Sequence, residues 1–295
     1  MPHTAHSHPI SKTDGLLLVM TTIWAVNFSI TKYATTAFEP RAFAGLRVAL
    51  AAVVLVGLTL VTRAPIPERR VLLKLLAIGV VGHGVYQVLF IEGLSRTRAG
   101  NAALIVAATP AVIALVGRYS RIERVRGRAI AGLGLSFLGV AAIVLGSATA
   151  AVGESSMTGT LLICICVLCW TGFTLALQPY AMTMNPLTLA TTTIIGGLIP
   201  LLVFSAPALA RTRWEAVPLE IWPAVFYSSV MAMVVAYLFW YRGVRVLGPT
   251  RTAVYANVQP IIALLVAWFT LGEVPTMLQG IGAVTIVSGV FFTRM

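Results

Sequence analysis

The chain contains ten apolar segments, each about twenty residues long, separated by short polar connections. A helix needs roughly 20 mostly apolar residues to cross a bilayer, whereas a membrane β-strand needs about ten residues of alternating polarity. A helix also satisfies its own backbone hydrogen bonds, as a hydrocarbon environment demands. The segments lie near residues 15–33, 40–62, 71–91, 98–117, 127–147, 159–180, 186–207, 219–241, 250–270 and 277–293. They predict an all-α integral membrane protein with ten transmembrane helices.

The charges indicate how such a protein would be oriented. Only 10% of the residues are charged and the net charge is +12, which in a soluble chain would suggest a nucleic-acid partner. With the N-terminus inside, however, fourteen of the twenty-one Lys and Arg residues fall at the inner ends of the segments. Basic residues accumulate on the cytoplasmic side of membrane proteins. We therefore expect no nucleic-acid partner, a multi-pass protein of the bacterial inner membrane, and both termini in the cytoplasm.

The two halves of the sequence correspond to each other. A shift of 150 residues aligns Pro110 with Pro260 and Glu123 with Glu273, and a shift of 146 aligns Trp24 with Trp170. Each half holds five segments, so the second half would insert upside down relative to the first, as in many secondary transporters. This predicts a cytoplasmic tail over 1–14 and two inverted five-helix repeats over 15–150 and 151–295, which form one membrane domain around a central cavity.

Several motifs resemble one known family. Trp24-Ala-Val-Asn27-Phe-Ser-Ile-Thr-Lys32, followed by Pro40-Arg-Ala-Phe-Ala-Gly-Leu-Arg47, is similar to the start of an EamA-type repeat. Ala99 to Pro110 with Glu123, and Arg251 to Pro260 with Leu271-Gly272-Glu273, resemble the end of one. The resemblance covers roughly residues 15–293. It implies membership of the drug/metabolite transporter superfamily, a central substrate cavity, and substrates such as amino acids and related compounds.

Polar and aromatic side chains inside the segments are candidates for the cavity wall, because an unpaired polar group in hydrocarbon is costly. They recur at helical spacing, which places them on shared faces. Mixed aromatic and hydrogen-bonding surfaces suit an organic solute with apolar and polar parts. The candidate substrate-binding residues are Trp24, Asn27, His83, Tyr86, Gln87, Trp170, Tyr237, Tyr255 and Asn257.

Structural roles compete with these assignments. Trp24 and Trp170 correspond across the halves, so they either stack on substrate or share a packing role. Asn27 and Asn257 either line the cavity or bond neighbouring helices. Pro110 and Pro260 lie inside apolar runs, where each removes a backbone hydrogen bond and bends its helix. They act either as hinges of the transport cycle or as simple packing kinks.

Charged residues inside the segments are few. Arg47 either reaches outward to the membrane surface, pairs with a carboxylate such as Glu39 or Glu92, or contacts a substrate carboxylate. None of the nine acidic residues lies in the middle of a segment. A proton relay built on carboxylates is therefore not expected, and His83 is the titratable candidate that remains. This favours a facilitator or a weakly coupled exporter.

The motifs of other functions are missing. The sequence has no P-loop, no nucleophile elbow and no zinc-protease motif, so we expect no catalytic residues, no cofactor, no metal and no enzymatic activity. The partners expected are a small-molecule substrate and the lipid bilayer, with a monomer as the working hypothesis. The leading function is export of small metabolites by alternating access, with aromatic and other neutral amino acids as substrates. The alternatives are export of lipophilic or cationic drugs and, less favoured, a membrane-embedded enzyme.

Overall fold

The computed structural model describes residues 12–119, 156–247 and 255–294, together with residue 252 and nine positions between 131 and 142. Regular structure in this part of the chain is helical, without a strand. The helices are α1 (Lys12–Ala34), α2 (Pro40–Thr62), α3 (Arg69–Ser95), α4 (Ala99–Ala107), α5 (Thr109–Tyr119), α6 (Met157–Ala181), α7 (Pro186–Arg211), α8 (Leu219–Leu247), α9 (Gln259–Leu271) and α10 (Met277–Arg294).

Six of these helices, α1, α2, α3, α6, α7 and α8, are long and apolar enough to cross a bilayer. Shorter apolar helices cover Ala99–Ile113, Gln259–Leu271 and Met277–Gly289. The described positions between 131 and 142 are helical too. The rest of the predicted 127–147 span and residues 1–11 of the predicted tail lie outside the described residues. The protein is thus a multi-pass α-helical membrane protein.

Two predicted spans differ from the expectation of continuous helices. The span predicted over 98–117 is interrupted at Ala108, so that α4 ends and α5 begins with Pro110 as its second residue. In the span predicted over 250–270, a short 3₁₀ turn over Ala256–Val258 precedes α9, and Pro260 is the second residue of that helix. Proline lacks the N–H that a first-turn residue would leave unpaired, so it is well placed in both positions.

Helices α3 and α8 each contain a π-helical segment, where the backbone bonds span five residues rather than four. The segments cover Val80–Val85 and Tyr227–Val235. At their ends the N–H of Tyr86 donates to the carbonyl of Val81, and the N–H of Ala236 donates to the carbonyl of Met231. These two bonds correspond under the 150-residue shift. A π-helical segment changes the angular spacing of side chains along its helix, and both segments lie at or next to residues of the cavity described below.

Helices α3 and α7 are in direct backbone contact. A Cβ atom on Gly79 would lie 2.0 Å from the carbonyl oxygen of Thr193, and one on Gly196 would lie 2.1 Å from that of Leu76. A Cβ on Gly197 would lie 2.5 Å from the carbonyl carbon of His83. We call this contact the glycine seam. Because no methyl group fits between the helices, only glycine permits so close an approach.

One end of the molecule is held together by Glu273, in the connection between α9 and α10. Its carboxylate accepts hydrogen bonds from the backbone N–H groups of Ala99 and Gly100, at 3.1 and 3.3 Å, and thereby caps α4. Lys32 Nζ lies 3.5 Å from the same carboxylate and also donates to the carbonyl of Thr97. The end of α1, the start of α4 and the α9–α10 connection are therefore fastened to one another.

Candidate functional site

A cavity with about 860 Å³ of empty space, including the part open to solvent, lies between the helices. Its wall is formed by α1, α2, α3, α4, α5, α6, α8 and the start of α9, so both halves of the sequence contribute. The wall residues are Trp24, Asn27, Phe28, Arg47, Tyr86, Gln87, Phe90, Val106, Thr109, Pro110, Ile113, Cys166, Val167, Trp170, Ala232, Tyr237, Trp240, Ala256 and Gln259. The wall combines apolar and aromatic side chains with a few polar groups, as the pockets that bind small organic molecules do.

Aromatic rings form the centre of the wall. Trp170 contacts Trp24, Tyr86 and Tyr237, with ring centroids 6.2, 5.3 and 5.8 Å apart. Trp24 also lies 5.6 Å from Tyr237 and 5.8 Å from Trp240. Several of these pairs are edge-to-face, which is a favoured arrangement of aromatic quadrupoles. We call these five residues the aromatic wall. They come from α1, α3, α6 and α8.

The aromatic wall is anchored by a hydrogen bond. Trp24 Nε1 donates to the backbone carbonyl of Ala232 at 3.0 Å. Ala232 belongs to the π-helical segment Tyr227–Val235. The bond fixes the indole ring of Trp24 and links α1 to α8.

Amide side chains add hydrogen-bonding capacity to the wall. Asn27 and Gln87 are 4% and 1% exposed, and the Oδ1 of Asn27 and the Oε1 of Gln87 have no hydrogen-bond partner among the described residues. Buried polar atoms nearly always have one. Gln259 completes the amide set of the wall. These groups lie beside the aromatic wall, so the cavity combines apolar surface with unused acceptors.

Among the described residues of the wall, Arg47 is the charged one, and it was not among the predicted site residues. It is 3% exposed, so it does not reach outward to a membrane surface. Its Nε donates to Met233 Sδ at 3.3 Å, and its guanidinium carbon lies 6.0 and 5.9 Å from the ring centroids of Phe43 and Phe90. Nη1 has no hydrogen-bond partner in the described part of the chain.

The carboxylates considered for Arg47 have other partners. Glu92 forms ion pairs with Arg41, at 2.9 Å, and with Arg96. Glu39 pairs with Arg211 at 3.6 Å. Neither of these two carboxylates therefore pairs with Arg47.

Of the nine predicted substrate-binding residues, six lie in the cavity wall: Trp24, Asn27, Tyr86, Gln87, Trp170 and Tyr237. His83 does not. It is fully buried behind the wall, with its ring 5.0 Å from that of Tyr237 and 5.3 Å from that of Phe173. His83 belongs to the π-helical segment Val80–Val85, whereas Tyr86 and Gln87 follow it, so the regular helical spacing that predicted a shared face does not hold across these positions.

Two further predicted residues are not placed in the wall. Tyr255 donates its hydroxyl to Asp14 Oδ1 at 2.5 Å, so this side chain is directed to the start of α1. The backbone of Asn257 belongs to the 3₁₀ turn before α9, but its side chain lies outside the described residues. Of the two predicted hinge prolines, Pro110 lines the cavity and Pro260 is buried beside it in the first turn of α9.

Known proteins are similar to this chain in fold and in sequence. A protein of known crystal structure superposes with a TM-score of 0.63 at 19% identity, covering 96% of this chain and 99% of its own, which shows a common fold. An uncharacterised transporter of Bacillus subtilis, YyaM, is 24% identical over 278 residues, covering 93% of this chain and 91% of its own length.

Two relatives have names that state what they transport. A probable amino-acid metabolite efflux pump of Salmonella typhimurium is 25% identical over 292 residues, covering 96% of this chain and 95% of its own length. An S-adenosylmethionine/S-adenosylhomocysteine transporter of Chlamydia trachomatis is 26% identical over 272 residues, covering 88% and 81%.

The sequence profile of the EamA-like transporter family matches twice, over residues 11–145 and 157–295. The two matches leave only the first ten residues and a short connection uncovered. They agree with the duplication expected from the motifs, and the full-length relatives named above are transporters. The chain is a membrane transporter and belongs to the EamA-like transporter family.

Proposed function

We propose that the protein exports aromatic and other large neutral amino acids across the bacterial inner membrane by alternating access. The observation that carries this proposal is the composition of the cavity wall. The rings of Trp24, Trp170 and Tyr237 offer an apolar surface for a large side chain, while the amides of Asn27 and Gln87 offer hydrogen bonds to a polar head group. A neutral amino acid has both parts.

The relatives support the same class of substrate. Besides the Salmonella protein, a probable amino-acid metabolite efflux pump of Escherichia coli is 25% identical over 291 residues. Export is the direction that these two names state, and we adopt it for this chain.

We further propose ten spans arranged as two inverted five-helix repeats, with both termini in the cytoplasm. Two family matches of similar length support the duplication, and the corresponding π-helical segments of α3 and α8 support a shared repeat structure. An odd number of spans per repeat then inverts the second copy. The basic residues, two-thirds of which fall on one side of such a topology, support the orientation.

We propose facilitated or weakly coupled transport by a monomer. No Asp or Glu is found among the wall residues in the described part of the chain, so the cavity offers no carboxylate for a proton relay. Transport by purified protein in liposomes without an imposed gradient is the expected result. Strict dependence on a proton gradient would contradict this part of the proposal.

The alternative, export of lipophilic or cationic drugs, fits the wall less well. The aromatic rings of the wall can attract an organic cation. The wall also holds a positive charge, Arg47, and its described residues include no carboxylate to offset the repulsion between the two cations. A reconstituted competition screen with the twenty amino acids and several cationic dyes separates the two functions. Competition by dyes alone would overturn amino-acid export in favour of drug export.

A further inference from the structure

Arg47 is a buried charge without a counter-ion among the described residues. Four described basic residues form ion pairs, and each of them pairs with a glutamate: Lys32, Arg41, Arg96 and Arg211. Arg47 lies in a membrane-spanning helix, is 3% exposed and has no such partner among the described residues. A guanidinium stays charged in proteins, and an isolated charge in a low-dielectric interior is costly. No described residue supplies a compensating negative charge, so a bound anionic group would lower this cost.

Its neighbours hold the guanidinium in place without neutralising it. Met233 Sδ is a weak acceptor, and the rings of Phe43 and Phe90 lie at the outer limit for cation–π attraction. Nη1 remains unpaired. A guanidinium has a planar set of donors that matches the two oxygens of a carboxylate, and such charge-assisted pairs are roughly twice as strong as neutral hydrogen bonds. Arg47 is therefore fixed in position and chemically suited to a carboxylate.

The aromatic wall begins next to this guanidinium. Phe90, beside Arg47, stacks on Tyr86 with ring centroids 5.9 Å apart, and Tyr86 lies 5.3 Å from Trp170. A solute whose carboxylate contacts Arg47 would thus extend its apolar part along aromatic rings. The unpaired amide oxygens of Asn27 and Gln87 lie in the same wall and are acceptors suited to an ammonium group.

We propose that Arg47 binds the carboxylate of the transported solute, and that the carboxylate is therefore required for recognition. The inference rests on the proposed function and narrows it to α-amino acids and other aromatic carboxylates. Compounds in which the carboxylate is absent or replaced by an amide are then not substrates. In this arrangement Arg47 fixes one end of the solute, the aromatic wall accepts its side chain, and Asn27 and Gln87 accept hydrogen bonds from its ammonium group.

The test uses three ligands that differ only in the head group: L-phenylalanine, L-phenylalaninamide, which lacks the carboxylate, and 3-phenylpropionate, which lacks the ammonium group. Their binding to the purified full-length protein is measured by the fluorescence of the tryptophans in the wall, and L-phenylalanine transport is measured in liposomes. In the wild type we expect the amide to bind at least about tenfold more weakly than phenylalanine, because it cannot form the ion pair.

The variants are Arg47→Gln, which removes the charge, and Arg47→Lys, which keeps the charge but loses the planar donor pair. We expect Arg47→Gln to weaken the binding of phenylalanine and 3-phenylpropionate by about ten- to a hundredfold. The affinity for the amide should be nearly unchanged, so the preference for a carboxylate should disappear. Arg47→Lys should be intermediate. Arg41→Gln, on the same helix but half exposed and outside the cavity wall, is the matched control and should keep wild-type affinity.

The outcomes separate this inference from the proposed function. Equal binding of phenylalanine and its amide to the wild type, or unchanged phenylalanine affinity in a folded Arg47→Gln variant, overturns the role of Arg47 even if amino acids are transported. If the wild type neither binds nor transports any amino acid, the proposed function fails. Binding of 3-phenylpropionate that depends on Arg47 would in that case still support a carboxylate site. If Arg47→Gln does not fold, the comparison of the three ligands in the wild type decides.

Discussion

Trp24 donates its indole N–H to the backbone carbonyl of Ala232, 3.0 Å away, and this bond joins the first family match to the second. The acceptor lies in a π-helical segment and the donor in a regular α-helix. The side chain of Trp24 therefore supplies a ring to the cavity wall and also links α1 to α8.

The first prediction concerns this bond. Trp24→Phe keeps an aromatic ring but leaves the Ala232 carbonyl without its donor, so we expect the free energy of unfolding to fall by about 1–2 kcal/mol and the KM for phenylalanine to rise. Equilibrium unfolding in mixed detergent and SDS, together with liposome transport, measures both. Trp268→Phe, at a half-exposed tryptophan outside the cavity wall, is the control. If the two variants changed the unfolding free energy and the KM equally, the bond would contribute nothing measurable to either quantity.

The aromatic wall gives the second prediction. Trp170→Ala, Tyr237→Ala and Tyr86→Ala each remove a ring that contacts other rings of the wall, and each should lower phenylalanine transport by about tenfold or more, as removal of a central aromatic contact typically does. Membrane insertion should persist, as judged by a fluorescent fusion and size-exclusion chromatography. Trp268→Ala should retain transport. Unaltered transport in all three wall variants would mean that the cavity is not the substrate site.

The third prediction distinguishes the two roles of Glu273. Its carboxylate accepts hydrogen bonds from the backbone N–H groups of Ala99 and Gly100 and also forms an ion pair with Lys32. Glu273→Ala removes both interactions and should lower the unfolding free energy by about 1–3 kcal/mol. Lys32→Met removes only the ion pair and should lower it by less. Exchanging the two residues should not restore stability, because a lysine cannot accept a hydrogen bond from the N–H groups of α4.

The control for this prediction is Glu39→Gln, at the exposed pair with Arg211, which we expect to change the unfolding free energy by about 0.5 kcal/mol or less. Recovery of wild-type stability in the exchanged variant would contradict the capping role. The same equilibrium unfolding measurement serves all of these variants.

The fourth prediction tests the glycine seam. Gly196→Ala would place a methyl group 2.1 Å from the carbonyl oxygen of Leu76, and Gly79→Ala would place one 2.0 Å from that of Thr193. Each should lower the unfolding free energy by about 3 kcal/mol or more, because backbone has to move to make room. In Gly172→Ala the new Cβ has open space, and the gain in helix propensity should raise stability by up to about 1 kcal/mol. Thermal unfolding in detergent ranks the variants, and tolerance of both seam substitutions would refute the direct backbone contact.

His83 gives the fifth prediction. Both of its ring nitrogens are buried without a hydrogen-bond partner among the described residues, and it lies outside the cavity wall. His83→Leu should therefore keep transport within about twofold, and stability should be unchanged or improved, because replacing an unsatisfied buried polar group by an apolar one of similar size removes its desolvation cost. Loss of transport with unchanged folding would instead assign His83 a part in the transport cycle.

The part of the site on α1 could be predicted from sequence because that helix is regular. Spacing alone places Trp24, Asn27 and Phe28 on one face, and the cavity wall contains all three. On α3 and α8 the same reasoning holds only beyond the π-helical segments, where Gln87 and Tyr237 are found. His83 lies within the segment of α3, where a count in steps of three and four no longer gives the face, and it is not among the wall residues. A π-helical segment has no simple sequence pattern.

Arg47 could not be assigned from sequence for a different reason. Its three alternatives depend on which basic residues the glutamates bind, and those pairs join distant positions. Arg41, six residues earlier on the same helix, takes Glu92, and Arg211 takes Glu39. Only the packed structure shows that both carboxylates are occupied.

The glycine seam has a consequence for how such a molecule can rearrange. It joins α3, from the first family match, to α7, from the second, along a backbone contact into which no methyl group fits. We expect two helices in such close backbone contact to move together. In the alternating access that we propose, α3 and α7 would then move as one unit, and the boundary between moving and stationary parts would differ from the boundary between the two copies in the sequence.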